Sequence, residues 1–204
     1  MRHMLEIQDL GLQAYEDVWS LQKRCVALRA QGEIPDQLLL VEHPPVYTLG
    51  RRSPAGQLTP AGVPAFRVER GGEISFHEPG QLGGYPIFLL ADARRDIQAF
   101  LQGLEQVLID ALASLGFGAE RDARNTGVWI GGRKVASIGI AVRRWVTWHG
   151  FALNINNDLA LAEAIQPCGF GPELLTSLSR QQGQPLDFER VKRVVSQQIQ
   201  VWWP

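Results

Sequence analysis

The chain has 204 residues, 45% of them hydrophobic and 20% charged, a balance that supports a packed core and excludes a disordered polymer. Twenty basic against 21 acidic residues leave a net charge of -1, so the bulk positive field of a nucleic-acid binder is missing. The opening MRHMLEIQDL lacks the apolar core of a signal peptide, and no apolar run approaches the roughly 18 residues of a membrane span. A single soluble, cytoplasmic domain over residues 1–204 is the expectation, with no nucleic-acid or membrane partner. Two cysteines, Cys25 and Cys168, and four dispersed histidines form neither a disulfide framework nor a zinc-ligand spacing. The chemistry therefore falls to ordinary side chains or to a cofactor brought from solution, with no resident metal or cofactor expected.

In chain order, Tyr15, Val18, Leu21, Cys25 and Leu28 recur at three- and four-residue intervals and predict an amphipathic helix over residues 14–29. Residues 37–42 and 46–50 have strand character and are separated by Pro44 and Pro45. Residues 51–64 turn to Arg, Ser, Pro, Gly and Gln, a polar loop expected to be weakly ordered. Short strands are predicted at 66–68, 73–77 and 85–90, punctuated by glycine turns. Ile97, Phe100, Leu101, Leu104, Leu108 and Leu112 make the strongest helical stripe, over 96–115, with Gly116 as its stop. Residues 128–130, 134–142 and 145–154 read as an antiparallel meander, and Asp187 caps a last helix through Val191, Val194 and Val195. Runs of strands interrupted by helices predict an α+β fold, with helices on one side of a mixed or antiparallel sheet.

Three features could carry chemistry. Residues 70–81 are the densest mixture of glycine and polar side chains; such a backbone exposes N–H donors to a carbonyl, phosphate or oxyanion, and a pair of β-turns is the plain alternative. Cys168, between Pro167 and Gly169, lies outside any helical stripe, and a nearby cation or base would make it a thiolate nucleophile; a small buried hydrophobe is the other reading. Lys134 is one of only three lysines against seventeen arginines and opens a strand of small and apolar residues. It is either a hairpin-end lysine or an ammonium that lowers a thiol pKa and, once neutral, accepts a proton. His77 and His149 complete the polar set, but their spacing from Cys168 matches no papain-like order.

The segment from Arg70 through His77, followed by Pro79-Gly80-Gln81 and Gly84-Tyr85-Pro86-Ile87, resembles the signature of the lipoyl(octanoyl) transferases. Residues 42–50, 132–139, 149–156, 167–169 and 176–178 extend the likeness in order over nearly the whole chain. The resemblance implies a biotin/lipoate protein ligase-like fold, with a mixed or antiparallel sheet and flanking helices. It implies Cys168 as the acyl-thioester nucleophile and Lys134 as the lysine that lowers its pKa. It also implies acyl-substrate contacts from Arg70, Gly71, Gly72, Glu73, Ile74, Ser75, Phe76 and His77, from Ser137, Ile138 and Gly139, and from Gly150, Phe151 and Ala152. The donor so implied is octanoyl-acyl carrier protein. The acceptors are lipoyl domains of 2-oxoacid dehydrogenase E2 subunits and the glycine cleavage H protein. In place of the glycine usual before Pro-Gly-Gln stands Glu78, which puts a carboxylate beside the expected site.

Exchange of one thioester for another is nearly neutral and amide formation is downhill, so the implied reaction needs no ATP. Two alternatives remain. An ATP-dependent lipoate or biotin ligase shares the fold but has no use for a thiol at Cys168, and an acyl-binding module needs neither Cys168 nor Lys134.

Overall fold

A computed structural model describes residues 5–57, 59–163 and 174–203. Nine strands and five α-helices follow in the order β1 (Leu5–Leu12), α1 (Tyr15–Gln31), β2 (Asp36–Glu42), β3 (Val46–Leu49), β4 (Ala65–Arg67), β5 (Ile74–His77), β6 (Gln81–Ile87), α2 (Ile97–Ser114), β7 (Gly127–Ile130), β8 (Arg133–Arg143), β9 (Val146–Asn154), α3 (Ala160–Glu163), α4 (Leu178–Gln182) and α5 (Phe188–Trp202) among the described residues. Six strands form one mixed sheet in the order β1-β2-β6-β9-β8-β7, and β4-β3-β5 form a smaller sheet. The β7–β9 meander is antiparallel, as its short polar turns predict.

The sheet carries helices on both faces, which corrects the one-sided arrangement expected from sequence. Leu38 and Leu40 of β2 pack with Leu104, Leu108 and Leu112 of α2 and Val191, Val195 and Ile199 of α5. Their neighbours Leu39 and Val41 pack against Val18 of α1 and Tyr85. Because side chains alternate along a strand, an unbroken apolar run is apolar on both faces and needs cover on both. Strand β6 starts four residues before the predicted strand and absorbs Gln81 through Gly84. There Gly84 leaves the space that the Phe151 ring occupies, so a Cβ at Gly84 would overlap that ring. β1, parallel to β2, has no counterpart in the sequence reading, because an edge strand exposed along most of its length shows no clean alternation. The polar loop after β3 is tied at its start, with Arg51 N donating to Arg70 O and Arg52 N to Gly72 O, both at 3.0 Å.

Asp36 fastens the two helical layers together. It is 1% exposed. Its Oδ1 accepts from Arg29 Nε at 2.5 Å and Leu89 N at 2.9 Å, and its Oδ2 accepts from Trp203 Nε1 at 2.7 Å. Asp36→Ala strands a guanidinium, an amide and an indole N–H, and is expected to cost about 3–5 kcal/mol. Urea unfolding checks this, and a loss below about 1 kcal/mol contradicts it. Among the described residues no helix is long and apolar enough to cross a membrane.

Candidate active site

The pairing of β8 with β9 sets Ser137 opposite Ala152 and Gly139 opposite Gly150. Alternation puts these four small side chains on one face of the sheet, where they form the floor of a trough. Ile138 and Phe151, which also border the cleft, send their side chains into the core beside α2. The roof is the segment from Arg70 to His77, docked on β8 through Gly71 N, which donates to Ile140 O at 2.9 Å. The resulting cleft holds about 530 Å³ of space between floor and roof, open solvent at its mouth included. Lys134 and Asn125 border one end, and Tyr15, Tyr85 and His149 the other. At ~3.4 Å per strand residue, the floor from Lys134 to Gly139 runs about 17 Å.

A second cavity of about 560 Å³ adjoins the first and is mainly apolar, with Trp129, Leu159, Ala162, Leu174 and Leu175 in its wall. Ser75, Lys134, Ser137 and Ala152 border both cavities, so Lys134 stands where the two meet. Arg70, Gly71, Gly72, Glu73, Ser75 and His77 all line the first cleft. Ile74 and Phe76 line the second cavity instead. The alternation of β5 turns them to its other side, where they border the second cavity and pack with Tyr47 and Leu159. Cys168 lies outside the described residues. Past Leu174, Leu175 and Thr176 are held to β8 at Lys134: Leu175 bridges Lys134 as a parallel partner, and Thr176 N donates to Lys134 O at 3.0 Å.

Behind the cleft runs a buried chain of hydrogen bonds whose direction is set by its donors. Arg70 Nη2 donates to Thr48 Oγ1 at 2.8 Å, and Thr48 Oγ1 lies 3.2 Å from His77 Nε2. Gln81 Nε2 donates to Phe76 O and to Asn154 Oδ1, which leaves Gln81 Oε1 as the acceptor for His77 Nδ1 at 2.8 Å. His77 is therefore protonated on Nδ1, and its Nε2 receives the Thr48 hydroxyl hydrogen. Asn154 Nδ2 continues the chain to Thr176 O at 3.1 Å. With both nitrogens engaged, His77 has no free lone pair and serves as structure rather than as a base.

Burial, helped by the charges of His43 and Arg70, lowers the His77 pKa to about 3. Burial also lowers His43 to about 4; its Nδ1 lies 2.7 Å from Gln13 O, so its Nε2 accepts from Tyr85 Oη at 2.8 Å. Both imidazoles are neutral in the folded protein and protonate near 6.5 once unfolded. Their folded-state pKa values are depressed, so the stability they protect is complete above about pH 6.5 and declines as pH falls toward 4 and then 3. The urea midpoint is expected to fall already between about pH 6.5 and 5, before ordinary carboxylates titrate; a flat midpoint there contradicts the assignment.

Glu78 acts as a loop clamp. Its Oε1 accepts from Asn157 Nδ2 and Leu159 N, both at 3.1 Å, and burial raises its pKa despite these bonds. It thus fixes the turn between β9 and α3, where Leu159 has a φ of 70°. Thr48, Gln81, Asn154 and Thr176 fall inside segments the sequence marks, but they read there as strand or turn residues. Asn125 falls in none, and only its contact with Lys134 exposes it, with Lys134 Nζ donating to Asn125 Oδ1 at 3.0 Å.

A mixed sheet flanked by helices, with a glycine-rich segment roofing a trough, is the α+β architecture that the resemblance implies. The chain belongs to the lipoyl protein ligase A/B catalytic domain family, whose model matches residues 14–200. Octanoyltransferase from Geobacter sulfurreducens is 49% identical over 192 residues, 94% of this chain and 82% of that protein. Octanoyltransferase from Syntrophotalea carbinolica is 45% identical over 204 residues, 98% of this chain and 97% of that protein. The protein is accordingly an acyltransferase. Among solved structures, a putative lipoate protein ligase from T. acidophilum matches 99% of this chain and 85% of its own with a TM-score of 0.77 at 16% identity. A biotin protein ligase from Aquifex aeolicus matches 97% of this chain and 70% of its own with a TM-score of 0.61 at 13% identity. These likenesses establish the fold, a mixed-sheet α+β architecture with flanking helices.

Proposed function

We propose that the protein transfers an octanoyl group from octanoyl-acyl carrier protein to a lysine of lipoyl domains, those of 2-oxoacid dehydrogenase E2 subunits and the glycine cleavage H protein, through a thioester on Cys168 and without ATP. The observation that carries this reading is Lys134, buried where a trough of small residues meets a second, apolar cavity. The names of the relatives support octanoyl transfer. The trough takes the acyl chain, and the second cavity admits the group that delivers or removes it.

The proton cycle closes on one lysine. With Lys134 as the ammonium, the Cys168 thiolate attacks the thioester carbonyl; the new C–S bond forms, the bond to the carrier sulfur breaks, and the carrier thiolate takes a proton from Lys134. The acceptor amine, near pKa 10.4 in solution, then attacks in its neutral form. As the amide forms, the amine proton passes to neutral Lys134, and Cys168 leaves as the thiolate it began as. Backbone N–H groups of the glycine-rich segments are the donors for the transient oxyanion. Six buried methylenes at about 0.8 kcal/mol each contribute about 5 kcal/mol, so one methylene changes affinity only about fourfold and length preference is graded.

Intact-protein mass spectrometry after mixing with octanoyl carrier protein, without ATP, tests the reading. A hydroxylamine-sensitive octanoyl adduct is expected on the wild type and not on Cys168→Ser, and a lipoyl domain should discharge it. An adduct formed equally without Cys168 overturns the nucleophile.

A further inference from the structure

The loop entering β7 is built around the Lys134 side chain. Lys134 Nζ donates to Asn125 Oδ1 at 3.0 Å, and Asn125 borders the first cleft. Two residues on, Gly127 has a φ of 143°, and a Cβ there would lie 2.4 Å from Ala136 O and 2.6 Å from Lys134 Cε, so the glycine lets the chain close on the β8 backbone and, beside it, on the lysine stem. Gly127 N is tied to Glu105 Oε1 of α2 at 2.9 Å. Trp129, whose Nε1 donates to Asn125 O at 3.3 Å, sets its ring 5.7 Å from Lys134 Nζ. One short segment thus supplies an acceptor, a close backbone wall and an aromatic face to the same amine.

We infer that Asn125 is a positioning residue that aims the Lys134 amine while leaving its proton free to come and go. This rests on the proposed role of Lys134 as proton carrier. That role requires the ammonium in one half of the cycle and the neutral amine in the other. An amide oxygen accepts an N–H from either form and carries no net charge. A carboxylate at the same place would hold the amine as well but bind the proton, because an opposite charge within ~4–6 Å favours the charged form by about 1–3 pKa units. The charged groups around this corner, among the described residues, have other engagements. Glu105 accepts from Arg121 Nε at 3.1 Å, Arg124 pairs with Asp122 at 2.6 Å, and Arg70 donates to Thr48 and Gly71. Glu73 and His77 border the cleft from its roof, and His77 is neutral. At this corner Lys134 Nζ meets the uncharged amide oxygen of Asn125.

The test is single-turnover kinetics on the whole protein, with formation and discharge of the octanoyl enzyme followed separately from pH 6 to 10 for the wild type, Asn125→Asp and Asn125→Ala. Asn125→Asp is expected to slow discharge to the lipoyl domain about tenfold or more at neutral pH, with the rising limb displaced upward by about one unit or more so that the rate recovers in alkali. Asn125→Ala is expected to lose discharge rate without that displacement. Asn125→Asp is nearly isosteric, so its profile decides the matter even if the alanine variant fails to fold. Rates unchanged in Asn125→Asp, or lowered by one factor at every pH, overturn the inference. If the wild type forms no thioester, the reading of Cys168 and Lys134 fails instead; normal wild-type chemistry with an indifferent Asn125 sinks this inference alone.

Discussion

Octanoyl transfer by Lys134→Ala is expected to fall by about 10²–10⁴-fold, the usual contribution of a positioned general acid–base. Lys134→Arg should divide the cycle. Arginine keeps a cation beside the proposed thiolate, so the acyl enzyme can still form, but it does not deprotonate in proteins and cannot accept the amine proton. Single-turnover measurements are expected to show acylation of Lys134→Arg reduced modestly and discharge reduced as strongly as in the alanine variant. Equal loss in both steps would mean that Lys134 only shapes the junction of the two cavities. The side chain is 5% exposed and its stem lies against Gly127, so melting temperatures must accompany the rates to separate chemistry from packing.

Gln81→Leu is the second large effect, and it acts through the buried chain behind the cleft. Gln81 is 7% exposed and receives His77 Nδ1 while donating to Phe76 O and Asn154 Oδ1. Leucine of similar size leaves the His77 Nδ1 donor and the Phe76 O acceptor unpaired in the interior, while Asn154 Oδ1 keeps only Asn157 Nδ2. At about 1–3 kcal/mol for each stranded group, a total loss of at least about 2 kcal/mol is expected in urea unfolding. Activity should fall beyond what the unfolded fraction explains, because Asn154 anchors Thr176, which is bonded to the backbone of Lys134. If Gln81→Leu costs below about 1 kcal/mol, the chain is not the tether between roof and floor.

Much of this protein is legible in short windows of sequence. The stripes of α1, α2 and α5, the Asp187 cap and the β7–β9 meander are local properties of neighbouring residues. The scarcity of lysine singles out Lys134, and the glycine-rich stretch at residues 70–81 marks the roof of the cleft. The ordered likeness over most of the chain names the family, which the matched relatives bear out.

Tertiary structure alone decided which of these residues face one another. The alternation of β5 removed Ile74 and Phe76 from the trough, although they sit between Glu73, Ser75 and His77, which face it. The register of β8 on β9 placed Ser137, Gly139, Gly150 and Ala152 on one surface, and the apolar run of β2 called helices to both faces of the sheet. Gln81 meets Asn154 across 73 positions and Gln22 meets His149 N across 127. A periodicity reports which face a residue takes within its own element, over a few residues. A hydrogen bond between distant segments depends on how whole elements pack, and so the seat of Lys134 at Asn125 became visible only when β7 and β8 were brought together.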